Sequence, residues 1–109
     1  MKQRCNIAII AFSMSAITPV FAIDESAAAD LLKDSRCTKC HATAMERIGP
    51  PFRDIARKYK GKADAETIIT KHVTVASDVE VDGEMKEHGL VESKDPAQIK
   101  NLVDWILAR

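Results

Sequence analysis

Cysteine is scarce in this chain, and its scarcity limits how the fold can be held together. Of the three cysteines in 109 residues, only Cys37 and Cys40 lie beyond the N-terminal 22 positions. No disulfide framework is therefore available. The part of the chain beyond these 22 positions is a domain of fewer than about 90 residues, and a domain of this size buries little apolar surface. It usually needs a disulfide, a metal ion or another bound group for stability. The sequence predicts that a bound group supplies part of the missing core.

An excess of basic charge is also absent, because 16 Lys and Arg residues balance 16 Asp and Glu residues. No basic stripe with interleaved aromatic residues occurs, so nucleic acid is not expected as a partner. The charges are unevenly distributed: residues 24–62 carry nine basic against six acidic side chains, and residues 63–109 carry five against ten. We expect this asymmetry to affect docking rather than the fold.

No apolar run reaches the roughly 20 residues that a membrane-spanning helix needs. Residues 1–22 instead combine the positive charges of Lys2 and Arg4 with a short apolar stretch that ends in small residues at Ala22. This order is typical of a cleavable secretory signal peptide, and it predicts export and a single mature domain of residues 23–109. A membrane anchor is the alternative, but polar residues interrupt the apolar stretch.

Apolar residues repeat at helical spacing in four segments. The predicted helices begin at about Glu25, Phe52, Ala65 and Pro96, and the first three end near Ser35, Tyr59 and Val73. Asp64 and Asp95 are predicted N-caps, and Gln98 completes a capping box in the last helix. Residues 74–82 alternate but have no evident partner strand, and Met85 falls in a loop. The fold class predicted is all-α.

The central motif is Cys37-Thr38-Lys39-Cys40-His41. Two cysteines separated by two residues and followed at once by a histidine are the attachment signature of a c-type haem. Each thiol adds to one haem vinyl group, and the histidine binds the iron as its proximal ligand. The motif therefore predicts Cys37 and Cys40 as cofactor-binding residues and His41 as a metal ligand.

Three other functions are known for cysteines at this spacing. A thioredoxin-like dithiol would be expected beside a βαβ pattern, which is missing. A zinc site would need more ligands, and only His72 and His88 remain beyond the signal segment. A simple disulfide would leave the small core unexplained. Haem attachment accounts for both the motif and the missing core.

Residues 25–109 resemble a small bacterial class I cytochrome c of the short monohaem periplasmic type. The resemblance lies in the helix before the cysteine motif, in Ile48-Gly49-Pro50-Pro51-Phe52, in a later methionine, and in Leu102-Val103-Asp104-Trp105-Ile106-Leu107. It implies an all-α cytochrome c fold of about four short helices around one covalently bound haem c. It also implies that Leu102, Trp105 and Ile106 pack on the first helix near Leu31 and Leu32.

The resemblance further implies roles around the iron. The carbonyl of Pro50 would accept a hydrogen bond from His41, and Met85 would be the distal axial ligand. The glycine or proline usual beside this methionine is missing, because the local sequence is Gly83-Glu84-Met85-Lys86-Glu87-His88-Gly89. His88 therefore competes with Met85 as the distal ligand, and an open or solvent-bound position is a further alternative.

The function that the resemblance implies is one-electron transfer in the periplasm by a six-coordinate histidine–methionine haem, without enzymatic activity. Expected partners are a donor dehydrogenase or quinol-oxidising complex and an acceptor oxidase or reductase, and the mature protein is not expected to span a membrane. Two other functions remain open. One is a permanently bound haem subunit of an oxidoreductase complex, and the other is a haem sensor or peroxidase-like protein with a labile sixth ligand.

Overall fold

The computed structural model describes residues 9–17 and 22–109, so residues 1–8 and 18–21 of the predicted signal peptide lie outside it. The described residues are mostly helical, as predicted, with one two-stranded sheet. The elements are α1 (Glu25–Asp34), a 3-10 turn (Cys37–Lys39), α2 (Phe52–Tyr59), α3 (Ala65–Thr74), β1 (Asp78–Val81), β2 (Glu84–Glu87) and α4 (Pro96–Leu107). None of the helices found in these two stretches is long and apolar enough to cross a membrane.

Helix α4 is the centre of the core, because it packs against α1, α2 and α3. Its Leu102 and Val103 are completely buried, at 0% exposure. Trp105 meets the ring of Phe52 edge to face, with 5.4 Å between the ring centroids, an arrangement that aromatic pairs favour. The predicted packing of α4 on α1 is confirmed, since one apolar cluster joins Leu31, Leu32, Leu102, Trp105 and Ile106.

Side chains cap two of the helices. Asp24 accepts a hydrogen bond from a backbone N–H in the first turn of α1, and Asp95 does the same for α4, as predicted. The other half of the predicted capping box does not form, because Gln98 accepts a hydrogen bond from Ser93 Oγ instead. The predicted cap at Asp64 is wrong: its backbone is not extended, at φ −98° and ψ 6°, and its side chain makes no capping bond.

The segment after α3 is an antiparallel hairpin, whereas the sequence led us to expect an alternating stretch without a partner strand followed by a loop around Met85. Strands β1 and β2 pair with Asp78 opposite Glu87 and Glu80 opposite Met85. The turn between them has positive φ angles at Asp82 (53°) and Gly83 (80°), as a two-residue hairpin turn of type I′ requires. An Asp-Gly pair is a strong signal for such a turn, so the partner of β1 was present in the sequence and was overlooked.

The two ends of the domain meet in an exposed cluster around Glu25. The carboxylate of Glu25 accepts a hydrogen bond from Trp105 Nε1 and pairs with the guanidinium of Arg109 at 3.0 Å. That guanidinium also lies 4.1 Å from the centroid of the Trp105 ring, a cation–π contact. The hydrogen bond from Arg109, and after it the one from Trp105, lowers the pKa of the Glu25 carboxyl.

Glu25→Gln is expected to reduce stability at neutral pH but not in acid. A carboxyl whose pKa is lower in the folded state stabilises the fold above its unfolded pKa, and this contribution disappears as the pH falls through the folded pKa. The melting temperatures of the variant and the parent should therefore differ at pH 7 and converge in acid. Asp30→Asn removes a charge from the same helix and is the control. A difference that does not change with pH would contradict the assignment.

Leu102→Ala should destabilise the domain by about 2–5 kcal/mol, because it empties a fully enclosed site in the core. Urea unfolding of the haem-loaded protein measures this change. Val75→Ala is the matched control, since the Val75 side chain is 49% exposed, and a surface truncation is expected to cost about 0.5 kcal/mol or less. Equal effects of the two substitutions would contradict the central position of α4.

Candidate functional site

A short turn after α1 brings the residues of the cysteine motif together. The backbone N–H of Cys40 and that of His41 both donate to the carbonyl of Cys37, at 3.2 Å and 3.0 Å. The thiols of Cys37 and Cys40 are both free and half-buried. Burial raises the pKa of the Cys37 thiol, whereas a redox-active dithiol of the thioredoxin kind needs a lowered pKa. This environment disfavours the dithiol alternative.

His41 is held by the loop that follows it. One of its ring nitrogens, Nδ1, lies 2.7 Å from the carbonyl oxygen of Pro50. The same loop is fixed by backbone hydrogen bonds from Gly49 to Cys40 (2.8 Å) and from Phe52 to Ala42 (2.9 Å). Because a carbonyl only accepts, Nδ1 is the donor of this contact, and Nε2 is the ring nitrogen left to face a metal ion. The structure therefore presents His41 as an oriented ligand.

A groove of about 490 Å³ lies against one side of His41. Phe52 forms part of its wall and stacks on the imidazole, with 5.3 Å between the ring centroids. The remaining lining residues are Ala29, Leu32, Thr38, Ala42, Thr43, Arg47 and Trp105. The lining therefore combines apolar with polar side chains, and neither the two cysteines of the motif nor His88 belongs to it.

Two further histidines lie near His41. The ring of His88 is 6.1 Å from that of His41 between centroids, and the ring of His72, on α3, is 4.1 Å from that of His88. The Nδ1 atom of His88 is buried and has no hydrogen-bond partner. Desolvation, followed by the charges of neighbouring groups, lowers the pKa of both His72 and His88. Both imidazoles are therefore neutral at neutral pH.

Met85 lies on the outside of the hairpin. It belongs to β2, sits opposite Glu80 of β1, and its side chain is 66% exposed. The prediction that Met85 is the distal ligand remains a prediction, and the residue that the fold brings toward His41 is His88. Sequence reasoning named His88 only as a competitor. The sequence signal that favours His88 over Met85 is the hairpin turn at Asp82-Gly83, because this turn fixes the face of the hairpin on which each side chain lies.

The histidines do not form a metal site by themselves. Across residues 9–17 and 22–109, no group of three or more His, Cys, Asp or Glu side chains is arranged to hold a metal ion. A structural zinc site would need four such ligands. The described residues instead place three separate histidine rings near one another, with a pair of free thiols on the turn before His41.

The chain is similar to known proteins over most of its length. Residues 25–109 match the family model for cytochrome c. The chain is similar to the class 1 cytochrome MtoD of Sideroxydans lithotrophicus ES-1, with 44% identity over 80% of this chain and 97% of that one and a TM-score of 0.76. It is also similar to cytochrome c-551 of Allochromatium vinosum, at 35% identity over 90% of this chain and 98% of the relative.

A third similar protein is also a cytochrome. Wild-type cytochrome c552 of Nitrosomonas europaea is 32% identical over 73% of this chain and 96% of its own, with a TM-score of 0.59. Proteins of this kind are small electron carriers rather than enzymes, and they hold one haem c covalently. Taken with the cysteine motif, the oriented His41 and the helical fold, these matches show that the chain belongs to the cytochrome c family, as a small class I haem c electron carrier.

Proposed function

We propose that this protein is a periplasmic one-electron carrier whose haem c is bound through thioethers at Cys37 and Cys40. His41 is the proximal iron ligand, and the carbonyl of Pro50 is its hydrogen-bond partner. The observation that carries this proposal is the 2.7 Å contact between His41 Nδ1 and Pro50 O. It leaves Nε2 as the ring nitrogen available to iron, and such outer contacts orient a ligand and raise its basicity.

The residues present fit a haem c. The two free thiols lie on one turn immediately before His41, in the order that attachment requires. Beside His41, the side chains of Phe52 and Trp105 provide an apolar wall on which a flat cofactor would pack. Across from His41, the buried Nδ1 of His88 lacks a partner within the protein, and a buried polar atom without a partner calls for an explanation.

The chain's own residues prepare the site for electron transfer rather than for substrate chemistry. Haem iron supplies the one-electron chemistry when it is bound. His41 is held in one tautomer by Pro50, and its ring is packed against Phe52. Phe52 is in turn packed against Trp105 of the core. A ligand fixed in this way moves little, and two strong axial ligands leave no position for a substrate.

The proposed location and partners rest on the sequence. Lys2, Arg4 and the apolar stretch that ends at Ala22 support export and cleavage after Ala22. A carrier released there would accept electrons from a dehydrogenase or quinol-oxidising complex and pass them to an oxidase or reductase. The basic surplus of residues 24–62 and the acidic surplus of residues 63–109 give such partners two electrostatically distinct surfaces.

Replacing both attachment cysteines tests covalent haem binding. Cys37→Ser/Cys40→Ser should yield protein without covalent haem, because no thiol remains to add to the vinyl groups. The parent should have the intact mass of residues 23–109 plus one haem. Mass spectrometry after denaturation measures both features. Cys5→Ser is the control and should leave the mass of the mature protein unchanged. Haem that is released from the parent by denaturant would contradict the proposal.

Gly49→Ala tests the position of His41. A Cβ atom at residue 49 would lie 2.6 Å from His41 Cε1 and 2.9 Å from its Nδ1, so the imidazole must move. We expect a lower yield of haem-loaded protein, and an altered ferric spectrum in what is obtained. Gly89→Ala is the control, because a Cβ atom there has no neighbour within 4 Å. Spectra that are identical in the parent and in Gly49→Ala would contradict the proximal role of His41.

A further inference from the structure

We infer that His88, rather than Met85, is the distal axial ligand, so that this protein holds its haem iron between two histidines. The inference rests on the proposed function, because it presupposes haem at Cys37 and Cys40 with His41 as the proximal ligand. It departs from the histidine–methionine ligation that the sequence led us to expect. The ring geometry and the register of the hairpin support it.

The separation of the two rings fits a shared metal atom. The ring centroids of His41 and His88 are 6.1 Å apart. Two imidazoles that bind one metal from opposite sides, each with its nitrogen about 2 Å from the metal, have centroids roughly 6 Å apart. The two planes are inclined at 56°, and axial imidazoles need not be parallel because each plane rotates about its own bond to the metal. The observed separation of the ring centroids therefore matches that of two imidazoles on one metal atom.

The hairpin register determines which side chains face inward. Side chains alternate between the two faces of a strand, and directly opposed residues share a face. In β1, Val79 and Val81 are partly buried while Asp78 and Glu80 are exposed. The valines therefore mark the inner face of the hairpin. Met85 is opposite Glu80 and belongs to the outer face.

His88 continues the ladder on the inner face. Its backbone N–H donates to the carbonyl of Ser77 at 2.8 Å, one step beyond the pairing of Asp78 with Glu87. Because residues 85 and 88 are an odd number of positions apart, alternation that turns His88 inward turns Met85 outward. A one-residue slip in register would be needed to exchange them, and the turn at Asp82-Gly83 opposes such a slip.

The surroundings of His88 hold its ring in place. The ring is packed against that of His72 on α3, with centroids 4.1 Å apart. The chain after it is tied to the end of α3 by the backbone hydrogen bond from Val91 to Val73, at 2.9 Å. We therefore assign His72 as a positioning residue, which contacts the ligand rather than the iron. By contrast, the Met85 side chain is 66% exposed, and strand β2 would have to rotate before this side chain could reach His41.

The ferric and ferrous spectra of the haem-loaded protein test the assignment. The parent should be low-spin in both states. Its ferric form should show the electron paramagnetic resonance and near-infrared signature of two histidine ligands. It should lack the weak long-wavelength absorption band that marks methionine-sulfur ligation, called the sulfur band below. His88→Ala should lose the low-spin ferric signal and gain rapid carbon monoxide binding, and added imidazole should restore the low-spin signal. Met85→Leu is the matched control and should keep the spectra of the parent.

A substitution that exchanges the ligand adds a second readout. His88→Met should remain low-spin, should acquire the sulfur band, and should shift to a higher reduction potential, because methionine raises the potential relative to histidine. His72→Gln should keep two-histidine ligation while changing the resonance pattern, as expected of a residue that only contacts the ligand. If His72→Gln loses the low-spin signal while His88→Ala keeps it, the iron ligand is His72 and the assignment of His88 is overturned.

The outcomes also separate this inference from the proposed function. Loss of the low-spin signal in Met85→Leu, with its retention in His88→Ala, would overturn the inference while leaving covalent attachment intact. A sulfur band in the parent would do the same, even if no His88 variant can be matured. A parent that carries no covalent haem would overturn the proposed function itself. A high-spin parent with covalent haem would overturn the inference in favour of an open distal position.

Discussion

The hydrogen bond between His41 and the carbonyl of Pro50 is the constraint on which the site depends. It closes the loop between the cysteine motif and α2, and it requires the chain to pass so near the imidazole that only glycine fits at position 49. Phe52, two residues after Pro50, stacks on His41 and meets Trp105 edge to face. The orientation of one metal ligand is thus coupled through two aromatic contacts to the centre of the core.

The helices could be predicted from the sequence because their signals are local. The apolar repeat of α4, its cap at Asp95 and its proline in the first turn all agree with the structure, and α1, α2 and α3 begin at the predicted residues. Local signals were not sufficient at two places, the start of α3 and the hairpin. Asp64 is a good capping residue by type, but its backbone is not extended there. The hairpin was not predicted because the Asp82-Gly83 turn, which pairs β1 with β2, was not recognised as a turn signal.

The missed hairpin also explains why the distal side was the least predictable part of the site. In a loop, the position of a residue in the sequence does not determine where its side chain points. A methionine at about the expected sequence distance from the cysteine motif is then the natural candidate for the distal ligand. In a strand, direction alternates at every residue, and parity decides which side chain turns inward. Met85 and His88 are three residues apart, and only the register, with Glu80 opposite Met85, tells them apart.

The same parity gives the hairpin two independent surfaces. Its inner face carries Val79 and Val81 with their opposed residues Lys86 and Glu84 and, at the end of the ladder, His88. Its outer face carries acidic side chains beside Met85. Substitutions on the outer face alter the charge that a partner meets without moving the ring beside His41. Substitutions at His88 alter the iron's environment without changing that charge. The potential of a carrier depends on its ligands, and its association depends on its surface charge. The two properties can therefore be adjusted separately within the hairpin and the residue that follows it.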